Sequence, residues 1–369
     1  MHELDMEQFW RDDALAHEGN CFNQAPQVPL GILMSDECVF AELDEPGTPW
    51  MPIPLSRRRE LNRRYNDKAE RLVGRRLLQE DFLPDDANLP GVRRIGEVFG
   101  GQYIYHNETE WLTQSVRSFR ELEALLDWVE RMDIRAFMLP GNWEAEKRRV
   151  HERYGLRPQP LRHIRGPVTL ACSIMGAEDL IFLILDAPDL ARRFSDTITR
   201  VILQMAAVMD EEAGTSAALT RGFSFADDNC CLLSPPLYEL FGLPVLQRVF
   251  SVYSPDEDDM RYQHSDSAMG HLLPLLGQAR LNGVNFGPTV LVPEIRQHLP
   301  KARIDGCLAP LVFMRNDREE IIRQVTRDCQ HALVYNGVNI ATAGSINNGS
   351  SLDSLRLVMQ VIQNHGRRA

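Results

Sequence analysis

The feature that most constrains the fold is a regular alternation of short apolar runs and longer amphipathic stretches, which begins near Gly166. We expect strands at 167–173, 222–226, 260–263, 284–286, 302–304 and 338–341. We expect helices from Ala177, at 188–212, from Pro235, and at 267–281, 293–299, 317–333 and 351–364. Strands that alternate with helices pair in parallel through right-handed crossovers. The pattern therefore predicts an α/β fold around a parallel sheet.

Two topologies fit this alternation, a closed barrel and an open doubly wound sheet. No GxGxxG or GxxxxGK[ST] loop follows any of the runs, which removes the usual nucleotide-binding reason for an open sheet. We therefore expect a (β/α)8 TIM barrel. Helical spacing at 56–79 and 118–132 lies in a less regular first part. We expect residues 1–100 to form an N-terminal helical extension or cap that can contribute to the barrel, and residues 101–369 to form the barrel itself.

Charge and composition exclude several classes of protein. The formal net charge of -12 argues against a nucleic-acid surface, which needs an excess of Lys and Arg. No apolar run approaches the roughly 18 residues of a membrane span. The 7 cysteines include no CxxC pair, and the N-terminus lacks the basic and apolar pattern of a signal peptide. We expect a cytoplasmic protein that binds neither nucleic acid nor membrane.

One local excess of positive charge stands out near the N-terminus. Eight arginines lie close together in the sequence: Arg57, Arg58, Arg59, Arg63, Arg64, Arg71, Arg75 and Arg76. Such a cluster can receive an anionic substrate, but charge runs more often form the solvated face of a helix. We favour the solvated face.

Polar side chains that suit catalysis gather where the expected strands end, which is where barrel enzymes place their chemistry. His264 and Asp266 are two residues apart, so an extended backbone points both to the same side. We expect catalytic roles for Asp227, Asp228, His264 and Asp266. The alternatives are helix capping by one of the two neighbouring aspartates and a structural role for a buried histidine.

Later strand ends supply further candidates. We expect Asn285, Thr342 and Ser345 to contact substrate, and Cys307 to bind a metal together with His264 and Asp266. Histidine with carboxylates suits zinc, iron or manganese, and an added thiolate favours zinc. Without a metal the same groups can act as general acid and base, and Cys307 can instead be a small buried hydrophobe.

An ordered series of segments resembles the uroporphyrinogen decarboxylase superfamily from about residue 166 to 366. The series is GPVTLACSIMG at 166–176, Asp227-Asp228, Ser234-Pro235, Leu243-Pro244, His264, and DGCLAP at 305–310. The resemblance implies a barrel enzyme that acts on a small-molecule substrate. It also implies a homodimer, since members of the superfamily are often dimers.

Departures from the superfamily's motifs bear on which of its reactions we expect. The arginine motif R-Q-A-G-R of true uroporphyrinogen decarboxylases is absent. Corrinoid-linked methyltransferases of the superfamily bind zinc through H-x-C and a later Cys. Here His264 matches the first ligand, Asp266 stands in place of the Cys, and Gly344 or Ser345 lies near the last one.

The resemblance therefore implies metal-assisted methyl (C1) transfer or O-demethylation, linked to a corrinoid carried by a partner protein. The cofactor it implies is a divalent metal, with zinc as the first choice. Two alternatives remain open. One is decarboxylation of a uroporphyrinogen-type tetrapyrrole, and the other is a non-catalytic binding protein on the same fold.

Overall fold

The computed structural model of the chain describes residues 3–106 and 109–368. Its strands are β1 (Tyr103–His106), β2 (Thr109–Leu112), β3 (His163–Arg165), β4 (Phe223–Ala226), β5 (Arg261–Ser265), β6 (Gly283–Phe286), β7 (Arg303–Leu308) and β8 (Val338–Thr342). The first two form an antiparallel hairpin, and the other six form one sheet in sequence order. The pairs β3–β4, β4–β5, β6–β7 and β7–β8 are parallel. The expected α/β architecture is confirmed.

A segment near the N-terminus extends this sheet beyond β8. Leu30 forms a parallel bridge with Ile340, and the N–H of Gly31 donates to the Ile340 carbonyl at 2.8 Å. The Ile340 N–H in turn donates to the Pro29 carbonyl at 2.9 Å. The sheet is thus compatible with the expected (β/α)8 barrel, although the described residues do not form a closed ring of strands.

The two ends of the chain also pair with each other. The Val28 N–H donates to the Gly366 carbonyl at 2.9 Å, and the Arg368 N–H donates to the Pro26 carbonyl at 2.9 Å. Asp13 on the first helix accepts a hydrogen bond from the Leu30 N–H at 2.7 Å. The first helix and the last residues therefore hold the 26–31 segment in place.

Helices fill the connections between the strands. They are α1 (Met6–Ala16), α2 (Val39–Glu42), α3 (Leu55–Val73), α4 (Ile95–Val98), α5 (Phe119–Glu130), α6 (Ile134–Met138), α7 (Trp143–Tyr154), α8 (Pro167–Met175), α9 (Ala177–Asp186), α10 (Pro188–Ala213), α11 (Pro235–Phe241), α12 (Leu243–Tyr253), α13 (Leu273–Gln278), α14 (Val292–His298), α15 (Pro310–Met314), α16 (Arg318–Tyr335) and α17 (Leu352–His365). The longest, α10, begins at a proline and ends at Gly214, whose φ of 69° is left-handed. Sequence signals of this kind located most helices correctly.

The expected strand at 167–173 is wrong, because these residues form helix α8. The strand of this unit is β3, just before it. Nearly every residue of α8 is buried, so the sequence shows no periodicity that separates a buried helix from a buried strand. Pro167 sits in the first turn, where a missing N–H costs nothing, and the Ser173 hydroxyl donates to the Thr169 carbonyl one turn earlier.

The expected helix at 267–281 is shorter than predicted. A 3-10 turn covers Gly270–Leu272 and α13 follows it, with Pro274 in the first helical turn. Proline suits the first turn of a helix, where its missing N–H leaves no intrahelical hydrogen bond unmade, whereas inside a longer helix it would break one. Residues 266–269 therefore form a loop that directly follows β5.

The chain divides into two compact units. One contains the residues up to Leu83, Ser265–Gly270 and those from Asn282 onward, and in it α16 contacts β7, β8 and α17. The other contains Pro84–His264 and His271–Leu281, and in it α10 contacts α5, α6, α9, α11 and α12. A boundary between extension and barrel at residue 100 stays a prediction.

None of the described helices alone is long and apolar enough to cross a membrane. Helices α8 and α9 are long and apolar enough for this only when they are taken together, and they are bent by 104° at their junction.

Most of the arginines on and after α3 bind acidic neighbours. Arg57 pairs with Glu45 at 2.6 Å, and Arg58 pairs with Asp36 at 2.8 Å. Arg76 forms ion pairs with three acidic residues, and the guanidinium of Arg75 lies over the Trp10 ring. These contacts agree with a solvated helix face.

Candidate active site

Three of the residues expected to be catalytic come together at the ends of β4 and β5. One ligand-capable atom each of Asp228, His264 and Asp266 lies within 4.8 Å of the other two. Asp228 and His264 are half-buried, whereas Asp266 is exposed. An imidazole and two carboxylates at this separation can converge on one small cation or share protons.

The register of two strands explains how these side chains meet. Ala226 on β4 lies opposite His264 on β5, and the Asp227 N–H donates to the His264 carbonyl at 3.0 Å. Beyond Asp227 the chain turns into a short 3-10 segment that begins at Asp228. Asp228 and His264 thus leave the same edge of the sheet, and Asp266 follows two residues later on the same side.

Two glycines shape the surroundings of Asp266. A Cβ on Gly344 would overlap the carboxylate oxygen Oδ1 of Asp266, and φ at this glycine is 124°. A Cβ on Gly287 would lie 2.6 Å from the Asp266 carbonyl oxygen. The Thr342 hydroxyl donates to the Gly344 carbonyl at 2.7 Å and fixes that loop. Only glycine leaves room for Asp266 at both positions.

Asp227, also expected to be catalytic, lies against the start of α8 instead of in this group. Its carboxylate accepts the Thr169 N–H at 2.7 Å and is 3.5 Å from the Val168 nitrogen, so it caps the helix. The side chain is fully buried. Burial raises its pKa to about 6, although the hydrogen bonds from the backbone N–H groups act to lower it. A Cβ on Gly166 would overlap it. The structure gives Asp227 a role in holding α8.

Cys307, expected to be a metal ligand, lies outside the three-residue group. Its side chain is buried, and its Sγ is 3.5 Å from the Val290 carbonyl to which it donates. Its backbone N–H donates to the Asp328 carboxylate at 3.1 Å. Burial raises the pKa of this thiol well above its usual range, which disfavours the thiolate that a metal needs.

The expected substrate contacts have different surroundings. The Asn285 amide donates to the Thr342 carbonyl at 3.0 Å and also to the Asp305 carbonyl, so it ties β6 to β7 and β8. Asn285 and Thr342 are both buried, whereas Ser345 is exposed. Of these residues, Ser345 is the one whose side chain is open to a ligand, and a substrate role for all three stays a prediction.

Two residues on β3 were missed by the sequence reasoning. Arg165 lies opposite Ala226, which lies opposite His264, so the three occupy one row across the sheet. His163 contacts the Ser224 hydroxyl at 2.8 Å, and its pKa is lowered by burial and by the charge of His264. The signal was the alternation His163-Ile164-Arg165 directly before Gly166 and Pro167, which was hidden because the strand was predicted at 167–173.

Comparisons with known proteins bear on the fold and the family of the chain. A search of curated protein sequences finds no match. Among solved structures, the chain is similar to a methyltransferase from Methanosarcina mazei, with 15% sequence identity and a TM-score of 0.57. The likeness covers 98% of this chain and 99% of that one, so it includes the N-terminal part. At this identity it establishes the fold alone.

The family comparison covers more than half of the sequence. Residues 148–365 match the family described as uroporphyrinogen decarboxylase (URO-D). This region includes β3 to β8 and the three clustered side chains. The chain belongs to the uroporphyrinogen decarboxylase family.

Proposed function

We propose that this protein is an enzyme that transfers a methyl or other one-carbon group from a small-molecule substrate, by O-demethylation or a related reaction, to a corrinoid carried by a partner protein. A divalent metal, with zinc as the first choice, would be held by Asp228, His264 and Asp266. The observation that carries the proposal is the convergence of these three ligand atoms within 4.8 Å.

The donor set fits such a metal. One imidazole nitrogen and two carboxylate oxygens suit zinc, iron or manganese, and this group contains no thiolate that would select for zinc alone. A bound metal would supply Lewis-acid polarisation of the substrate atom that carries the methyl group. Because two carboxylates balance a divalent charge, an anionic substrate can approach a site that is close to neutral.

The protein's own residues set the geometry around this group. The strand pairing fixes His264, and the cap that Asp227 forms on α8 fixes the backbone before Asp228. Asp266 is the exposed member, so the substrate would approach from its side. The glycine at 344 leaves the Asp266 carboxylate room to adopt this position.

Two further observations favour methyl transfer over the alternatives. The similar solved structure from Methanosarcina mazei is a methyltransferase. Arg57, Arg58 and Arg76 near α3 are engaged with acidic residues of this chain, which disfavours them as the carboxylate-binding groups that tetrapyrrole decarboxylation needs. The corrinoid partner and a homodimer remain parts of the proposal.

Metal content tests the proposal directly. We expect close to one metal per chain in the wild-type protein by elemental mass spectrometry, and loss of it in the double variant His264→Ala, Asp266→Ala. His271→Ala is the matched control, because that imidazole lies outside the group and contacts the Leu233 carbonyl at 2.9 Å. Metal retained by the double variant would contradict the assigned ligands.

The chemistry is tested separately. With cob(I)alamin and methylated substrates, the wild-type protein should form methylcobalamin, as followed by absorbance, whereas the double variant should not. Rapid conversion of uroporphyrinogen to coproporphyrinogen in a parallel incubation would instead establish the decarboxylase alternative.

A further inference from the structure

A cavity of about 370 Å³ lies beside β3. Its apolar wall consists of aliphatic and thioether side chains: Ile95, Met138, Leu161, Ile164, Met205 and Met209. A volume of this size is within the range of small-molecule sites, whose walls are mostly apolar with a few polar groups. Thioethers adapt to different shapes and make favourable contacts with aromatic rings.

The polar wall of the cavity has an excess of positive charge. Arg94 forms a two-pronged ion pair with Glu110, with one N···O distance of 2.8 Å, and stacks on Tyr103, so these two charges cancel. Arg93 and Arg165 also line the cavity. Of the residues that the structure describes, none brings a carboxylate within 4.0 Å of either guanidinium. An anionic group is therefore the complementary ligand.

Arg165 belongs to β3, the strand that pairs with β4 of the candidate active site. It lies in the same row of the sheet as His264, two strands away, so the backbones are separated by about 10 Å. Its guanidinium donates to the Ser173 hydroxyl at 2.9 Å, which leaves the other nitrogens of its fork for a ligand.

We propose that this cavity binds a small aromatic carboxylate, with its carboxylate on Arg165 and its ring against the methionine side chains. Arg93 at the cavity wall adds to the attraction for the anion.

Calorimetric titration with benzoate and with benzamide, its neutral analogue, tests the assignment. We expect benzoate to bind the wild-type protein, and Arg165→Met to weaken that binding roughly 10- to 100-fold, since a charge-assisted hydrogen bond is lost. Benzamide should bind weakly and equally to both proteins. Arg192→Met is the matched control, because Arg192 is an exposed arginine on α10 that pairs with Asp189.

A second variant keeps the test decisive if the first disturbs the cavity. Met209→Trp should fill the space and abolish binding of benzoate while Arg165 stays in place. Equal binding of benzoate and benzamide, or unchanged benzoate affinity in both variants, would overturn the proposal. The titrations are repeated on metal-free protein, so a failure of the metal site and a failure of this cavity give different results.

Discussion

Two pairs of strand ends looked equivalent in the sequence, yet the structure uses them differently. After β4 and β5, Asp228, His264 and Asp266 direct ligand atoms toward one another. Near the ends of β7 and β6, Cys307 and Asn285 direct theirs toward backbone carbonyls. The first pair can receive a ligand, whereas the second holds neighbouring segments together.

This difference shows that a polar side chain at a strand end is not sufficient for a site. Buried polar groups need partners, and a nearby backbone carbonyl or N–H satisfies that need without a ligand. Asp227 and Asp228 are adjacent in the chain, and Asp227 is the one whose carboxylate caps the start of α8. The contrast can be tested by substitutions on each side of it.

The largest effect is expected for Gly344→Ala. The new Cβ would overlap the Asp266 carboxylate at a backbone φ of 124°, so Asp266 must move. We expect metal affinity to fall roughly 100-fold, with about 1–3 kcal/mol lost in stability from backbone strain. Competition with a chelator of known affinity measures the first quantity.

The matched control is Gly349→Ala. Gly349 also has a left-handed φ, of 102°, but its Cβ would meet only Met314, at 3.4 Å or more. It should lose stability by a similar amount and keep its metal affinity. Equal metal affinities in the two variants would remove Asp266 from the ligand group.

A smaller effect is expected for Asp227→Asn, and it depends on pH. Because burial raises the pKa of Asp227 to about 6, the folded state binds the carboxyl proton of Asp227 more tightly than the unfolded state does. Its contribution to stability is full below about pH 4 and is lost as the pH rises through 6. Asparagine keeps an oxygen acceptor and does not titrate.

Between pH 4 and pH 8 the unfolding free energy of the wild-type protein should therefore fall, relative to that of Asp227→Asn, by up to about 3 kcal/mol. Urea unfolding of both proteins at several pH values measures this difference. The exposed Asp189→Asn substitution controls for the change in net charge. A constant difference across this range would mean that Asp227 is not a buried titrating cap.

The smallest effect is expected for Cys307→Ser. A serine hydroxyl can donate to the Val290 carbonyl as the thiol does, so stability should fall by about 1 kcal/mol. Metal content should stay unchanged in elemental analysis, since the thiol lies outside the ligand group. Loss of metal would restore Cys307 as a ligand and erase the contrast between the two strand ends.

Part of the sheet could be predicted because strands such as β4, β6 and β8 are short, largely apolar runs. That His264 and Asp266 point to the same side also followed from local geometry, because alternate residues of a strand share a side. The arrival of Asp228 beside them depends on the register between β4 and β5, which is a long-range property.

Two errors have related physical causes. Helix α8 is buried on nearly all sides, so its sequence has no helical period, and its cap comes from Asp227 far along the chain. The extended segment around Leu30 makes a single bridge and is flanked by Pro29 and Gly31, which hide its strand character. In both cases the deciding contact is distant in sequence.

Residues 26–28 can pair with residues 366–368 only after the latter have been synthesised. The early segment leaves the ribosome on the order of tens of seconds before its partner strand and the last residues exist. During that interval Val28, Leu30 and Ile32 lack the native contacts that bury them in the folded protein. Until those later residues have been synthesised, the nascent chain exposes this apolar stretch, and a holding chaperone would have its largest effect at this stage.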